Sequence, residues 1–168
     1  MKFKTLLQRA ADRELLTRFF FSETEAGIMG ELEPDNISLG AAARVARDSG
    51  YQVDVWTAAD HITYRFHCPA EWLENWNERE SLSVSDALIV IPTPKALATF
   101  TAKEITDCME RFRCCDWGTC CDMFASQNDV NLFSGNDNLI AVYPLPAGNL
   151  WFRRTDGITE ALTEAEMQ

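Results

Sequence analysis

Between Cys114 and Asp122 the chain reads Cys-Cys-Asp-Trp-Gly-Thr-Cys-Cys-Asp, so four of its six cysteines crowd around one Asp-Trp-Gly step. Thiolates and carboxylates packed this closely suggest metal binding or redox chemistry. A structural zinc site needs four thiolate or imidazole ligands converging on one point, usually supplied as two Cys-x₂₋₄-Cys knuckles. Here the cysteines come instead as adjacent pairs, Cys114-Cys115 and Cys120-Cys121. Neighbouring side chains on a helix or strand point in different directions, so one such pair seldom gives two ligands. The residues open to zinc are Cys115 and Cys120 with Cys108, or with His67 and Cys68, and the four-thiolate set is Cys108, Cys115, Cys120 and Cys68. The preferred reading is core packing, with Cys108, Cys115 and Cys121 as small buried groups, as free cysteines usually are. Cys108 and Cys115 stand seven apart, on one helical face, and Met109, Phe112, Met123 and Phe124 supply apolar neighbours. No cofactor is expected on this reading, and zinc is the alternative.

Nucleophilic catalysis would need a thiol beside a base. The two histidines, His61 and His67, both fall in or near a predicted hairpin. Asp116 and Asp122 could share acid–base work or hold a cation. An aspartate in an Asp-Trp-Gly step more often caps a helix or fixes a turn, Trp117 is most simply a core anchor, and Gly118 supplies the backbone freedom to turn. Asp116, Trp117 and Gly118 are therefore read as structural. Neither Gly-x-x-x-x-Gly-Lys-Ser/Thr nor Gly-x-Gly-x-x-Gly occurs, so no phosphate cradle is recognisable. The chain is read as non-enzymatic.

At 168 residues, 46% hydrophobic and 11% aromatic, the chain can bury a full core, and no apolar run approaches the roughly 20 residues of a membrane span. Acidic residues outnumber basic ones 26 to 15, a net charge of −11. Such a chain repels phosphate backbones, and its basic residues are scattered, which argues against direct nucleic-acid binding. An acidic surface can instead imitate a nucleic acid and occupy a basic groove on another protein. Trp72 and Trp76, four apart, form an aromatic stripe among Glu71, Glu74, Glu78 and Glu80. Exposed, that stripe would be an interface selecting a basic partner; packed inward, it is core. The start, Met1 to Leu7, has the charges of a signal peptide but not its apolar centre, because Gln8, Arg9, Asp12, Arg13 and Glu14 interrupt it. A cytoplasmic location with reduced thiols is the expectation.

The elements that must position these residues are short. Phe3, Leu6, Leu7, Ala10, Ala11, Leu15 and Phe19 recur near a 3.6-residue period and predict an opening amphipathic helix. Gly27 to Asn36 reads as a loop, and Leu39 to Asp48 as a helix capped by Ser38. Strands at Tyr51–Val55 and Ile62–Phe66 pair as a hairpin through 58–61. A short helix follows at 69–77, then a polar stretch, so the halves 1–85 and 86–168 divide there. From Ala87 the pattern restarts: the apolar run Leu88–Ile91 closed by Pro92, a helix opened by Pro94, a capping box at Thr101 and Glu104 starting a helix to Arg113, and a helix past Gly118 ending by Gly135. Three strands close the chain: Leu139–Tyr143, Asn149–Arg154 and Ile158–Leu162. The fold expected is α+β, short helices on small antiparallel sheets with a C-terminal β-meander.

The order Thr-Pro-Lys-Ala-Leu (Thr93 to Leu97), Asp-Trp-Gly (Asp116 to Gly118), an acidic helix with an Asn, Gly-Asn-Asp-Asn-Leu-Ile-Ala-Val-Tyr (Gly135 to Tyr143) and Gly-Asn-Leu-Trp-Phe-Arg-Arg-Thr-Asp (Gly148 to Asp156) resembles a family of small uncharacterised proteins of bacterial plasmids, integrative elements and phages. The resemblance covers about the last 80 residues and leaves the first half unmatched. Those proteins usually carry a small residue and a glycine where this chain has Cys114 and Cys115. The resemblance implies a mobile-element context rather than a mechanism. Combined with the acid excess, it leads to a non-enzymatic accessory protein that acts by protein–protein contact on a basic host protein, an anti-defence inhibitor of a nucleic-acid-binding complex being the specific form. The alternative is a zinc-stabilised or metal-dependent module centred on Cys114 to Asp122.

Overall fold

The computed structural model describes residues 3–24, 27–34, 52–57, 62–69, 84 and 88–167. The chain divides into two compact units, Met1–Glu80 and Ser81–Gln168, and its class is α+β.

In the first unit, helix α1 (Phe3–Asp12) buries Leu6, Leu7 and Ala10 on one face. Strands β1 (Leu16–Thr24), β2 (Gly27–Pro34), β3 (Gln52–Thr57) and β4 (Ile62–Pro69) form a sheet in the order β1-β2-β4-β3. All three pairings are antiparallel. Phe66 of β4 stands opposite Gly30 and Val53, and the cross-strand pair Arg65–Glu31 closes at 2.8 Å on the other face.

Two expectations are overturned here. The opening helix stops at Asp12, and Leu15 and Phe19 lie beyond it, Phe19 within β1. The helical spacing of the apolar residues runs on, but Leu-Thr-Arg-Phe-Phe-Phe is β-branched and aromatic, a composition that suits a pleated sheet. Gly27 to Pro34 is a strand rather than a loop. Its turn-forming residues are compatible with pairing because Ile28 and Gly30 alternate inward with Met29, and Pro34 takes the strand's last position, where a missing N–H costs least. The pairing of β3 with β4 matches the expected hairpin strands, with Val55 opposite Tyr64. Residues 58–61, the expected helix at Leu39 to Asp48, and nearly all of that at 69–77, whose Pro69 ends β4, lie outside the described residues.

The second unit is a mixed four-stranded sheet with a helical layer on its inner face. Its strands are β5 (Val90–Pro92), β6 (Leu139–Leu145), β7 (Gly148–Thr155) and β8 (Ile158–Thr163), in the order β5-β8-β7-β6. The last three form the expected antiparallel meander. Strand β5 pairs with β8 in parallel, which requires the long crossover through the helices between them. Helix α2 (Pro94–Thr99) starts with Pro94 at its first turn and Thr93 Oγ1 accepting from the Ala96 N–H. Helix α3 (Ala102–Arg113) has the reciprocal capping box of Thr101 and Glu104, and the hydrogen bonds that the carboxylate accepts from the Thr101 N–H and hydroxyl hold Glu104 below the usual carboxylate range. Helix α4 (Asp122–Phe133) follows, and a 3₁₀ turn (Glu164–Glu166) succeeds β8.

The core of this unit is aromatic. Phe112 from α3 meets Trp117 and Phe152 edge-on, and Phe152 meets Tyr143 the same way, each with ring centroids 5.5 Å apart. Such contacts add about 0.5–1.5 kcal/mol each beyond area burial. Ile105, Cys108 and Phe112 form the inward stripe of α3 at helical spacing.

Among the described residues the three longer helices, α1, α3 and α4, end in one motif, the Schellman turn. After α1, the N–H of Glu14 reaches the Ala11 carbonyl and that of Leu15 reaches Ala10. After α3, Cys115 reaches Phe112 and Asp116 reaches Arg111; after α4, Gly135 reaches Leu132 and Asn136 reaches Asn131. The left-handed position is taken by Glu14 (φ 56°), Cys115 (φ 58°) and Gly135 (φ 73°). Cys115 is therefore not on the helical face of Cys108: the helix has ended at Arg113, and the left-handed turn swings its thiol into the core. Among the described residues no helix is long and apolar enough to cross a membrane.

Candidate functional site

The Asp-Trp-Gly step lies along the outer edge of β6. Val142 donates to the Trp117 carbonyl at 3.2 Å and accepts from the Thr119 N–H at 2.8 Å, so the step acts as a one-bridge extra strand centred on Gly118. Two residues along, the side-chain amide of Asn128 on α4 does the same for Ile140, donating to its carbonyl at 2.6 Å and accepting from its N–H at 3.0 Å. The outward-pointing backbone groups of Ile140 and Val142 are thus met, and this edge is closed to further pairing.

Each residue of the step has a separate anchor. Asp116 Oδ1 accepts from the Gly118 N–H, an Asx turn, and Oδ2 accepts from Arg111 at 2.7 Å. The Arg111 guanidinium lies 4.7 Å over the Tyr143 ring, and the bond to Asp116 pushes its pKa up. Tyr143 in turn donates to the Asp116 carbonyl at 2.6 Å; burial raises its phenol well above the ordinary value. Trp117 is buried, and its Nε1 donates to the equally buried Asp129 at 2.8 Å, tying the step to α4. Asp129 and Asn128 are positioned by α4 through contacts twelve residues away in sequence, and sequence reasoning missed both.

The cysteines separate by environment. Cys108 and Cys115 are buried, Cys120 is half-buried with its Sγ donating to the Ile140 carbonyl, and Cys114 and Cys121 are exposed. Burial pushes the thiols of Cys108 and Cys120 up, which disfavours the reactive thiolate. Cys121 is the N-cap of α4 rather than a buried group, and Met123 and Phe124 beside it are exposed, so that part of the packing expectation is corrected. The reason is that α4 has no strong apolar face: it holds Ala125, Ser126, Asn128 and Asp129 inward and leaves its first turn to solvent. Among the described residues no three His, Cys, Asp or Glu side chains converge as metal ligands. His67 lies on β4, half-buried; the Cys68 side chain and His61 lie outside the described residues. So do Glu71, Trp72, Glu74, Trp76, Glu78 and Glu80. Thiol labelling of the native protein with peptide mapping should modify Cys114 and Cys121 first, and Cys108 and Cys115 only as the chain unfolds. Native labelling of Cys115 at the rate of Cys114 would contradict its place in the core.

A cleft of about 610 Å³ opens on the outer face of the second sheet. Ile140, Val142 and Trp151 line it from β6 and β7, Cys121 and Phe124 from the start of α4, and Glu164 and Met167 from the chain's last turn. Period-two alternation in β6 and β7 puts Ile140, Val142 and Trp151 on one face, opposite the buried Ala141, Tyr143 and Phe152. That much was available in the sequence; the two walls were not, since they meet only in the fold. The indole nitrogen of Trp151 is buried and has no hydrogen-bond partner. An unmet buried donor costs about 1–3 kcal/mol.

No protein-family model, curated protein or solved structure matches the chain.

Proposed function

We propose that this chain is a non-enzymatic binding protein of the mobile-element accessory kind, acting in the cytoplasm by contact with a basic host protein, and that it inhibits a nucleic-acid-binding defence complex by occupying its basic surface. The observation that carries the reading is an apolar cleft flanked by unpaired acid in a chain of net charge −11. Asp122 adjoins the cleft residue Cys121, Glu164 lines the cleft, and neither forms an ion pair among the described residues. Interfaces combine such an apolar centre with a charged rim: the centre supplies most of the affinity, and the rim selects the sign of the partner and speeds encounter. The glutamates Glu71, Glu74, Glu78 and Glu80 around Trp72 and Trp76 belong to the same reading as a second acidic surface.

The test is capture of host proteins on the immobilised chain at low and raised salt, with and without added nucleic acid. A basic protein should be retained near 0.1 M salt and released as the screening length falls below roughly 10 Å. Nucleic acid should compete for it. Reversal of Glu74 and Glu78, or of Asp122 and Glu164, to lysine should weaken retention, and for the exposed Asp122 and Glu164 with little change in melting temperature, since solvated charges contribute little stability. Retention that ignores salt, nucleic acid and both reversals would remove the reading.

A further inference from the structure

We propose that the cleft over β6 and β7 receives a basic segment of a protein partner, which seats a phenylalanine- or leucine-sized side chain on Ile140, Val142 and Trp151 and sets a lysine or arginine against Glu164 and Asp122. The inference rests on the protein-binding function proposed above and adds the chemistry of the occupant.

Three features define that chemistry. The first is size and polarity: about 610 Å³ is within the roughly 300–1,000 Å³ of pockets that bind a ligand, and the surface is mostly apolar. Apolar surface also continues past the cleft's rim, where Met123, next to the lining residue Phe124, is 57% exposed. A small molecule filling the cleft would leave that surface wet, whereas a peptide backbone leaving the cleft would cover it.

The second is charge. Arg153, two residues from Trp151 on the same sheet face, is already bound to Glu160 at 2.7 Å, so the acidic groups nearest the cleft are Glu164, which lines it and accepts from Asn149 at 3.3 Å, and Asp122, the chain neighbour of the lining residue Cys121. The local field is negative, so an acidic segment or a nucleic-acid strand is repelled and a cation is drawn in. The third is the indole N–H of Trp151, a donor without an acceptor. A segment that displaces the cover of this buried nitrogen as it seats would let a peptide carbonyl supply one.

The full chain, ¹⁵N-labelled, is titrated with three acetylated peptides in Gly-Ser flanks, carrying Lys-Phe-Lys, Lys-Ala-Lys or Glu-Phe-Glu at the centre, and with phenethylamine. The readout is the Trp151 indole N–H resonance, identified by its loss in Trp151→Phe. The Lys-Phe-Lys peptide should shift that resonance and bind about tenfold or more tighter than the other three probes, and the Asp122→Lys/Glu164→Lys double variant should lose about tenfold of that affinity. Equal binding of Lys-Ala-Lys reduces the site to bulk charge. Equal binding of Glu-Phe-Glu removes the charge selection, and equal binding of phenethylamine makes the cleft a small-molecule pocket. An unmoved Trp151 resonance places any binding elsewhere. Each of these overturns the proposal. A basic host protein that is captured and then lost on reversal of Glu74 and Glu78, while no peptide binds, overturns the occupant and leaves the binding function. Capture insensitive to every charge reversal overturns the function, even if a peptide enters the cleft.

Discussion

Trp117→Ala should destabilise the second unit by about 3–5 kcal/mol, the range for truncating a fully buried aromatic ring. The ring is 3% exposed, packs edge-on against Phe112, and stands at the junction of α3, α4 and β6. Its loss opens a cavity at the centre of the aromatic cluster and takes a hydrogen bond from the buried Asp129 carboxylate. Trp117→Phe separates the two effects. It keeps most of the ring and removes the N–H, so its cost should be the smaller one of losing a donor to a buried group, about 1–3 kcal/mol. For a unit of this size each kcal/mol lowers the melting temperature by about 4–8 °C, so calorimetry should place the phenylalanine variant well between the parent and the alanine variant. An alanine variant melting within a degree or two of the parent would mean that the ring contributes almost nothing to the core.

The same neighbourhood shows which parts of the fold are readable from sequence. Local signals were legible because their partners are three or four residues away: Thr101 with Glu104 as a capping box, Pro94 at the head of α2, and Asp156-Gly157 as the turn between β7 and β8. The last follows from backbone geometry, since Asp156 and Gly157 both have positive φ (51° and 80°), the conformation a two-residue hairpin turn needs. Periodicity misled where two patterns overlapped. Phe19 continued the spacing of Leu6, Leu7, Ala10 and Leu15, yet the Schellman turn at Glu14 ends the helix and sheet pairing takes over. Cysteine spacing misled for the same reason. A seven-residue separation implies a shared helical face only while the helix lasts, and α3 ends between Cys108 and Cys115. The cleft was not read from the sequence: its floor of Ile140, Val142 and Trp151 follows from strand alternation once β6 and β7 are paired, and Phe124, Glu164 and Met167 join it only through long-range packing.

Gly118→Ala should be at least as damaging as loss of Trp117, and a matched control isolates the reason. Gly118 has φ +67°, and a Cβ built on it would stand 1.9 Å from the Val142 carbonyl oxygen and 2.9 Å from Tyr143 Cδ1. Both neighbours are fixed. The Val142 oxygen accepts from Thr119, and the Tyr143 ring is held by its hydroxyl on the Asp116 carbonyl and by Phe152. The methyl group can be admitted only by withdrawing the Asp-Trp-Gly step from β6, which breaks both backbone bonds at Val142 and exposes that edge. Gly135, the left-handed residue after α4, has φ +73° and nothing within 4 Å of its hypothetical Cβ. Gly135→Ala therefore incurs the left-handed strain alone, about 1–2 kcal/mol. Gly118→Ala adds a backbone collision and lost pairing, which puts it among the rare substitutions above about 4 kcal/mol. In denaturant titrations followed by tryptophan fluorescence, Gly135→Ala should shift the midpoint modestly, while Gly118→Ala should leave the second unit unfolded or nearly so. Equal costs at the two positions would mean that backbone strain is the whole effect and that the close approach of Gly118 to β6 is not needed to hold the edge.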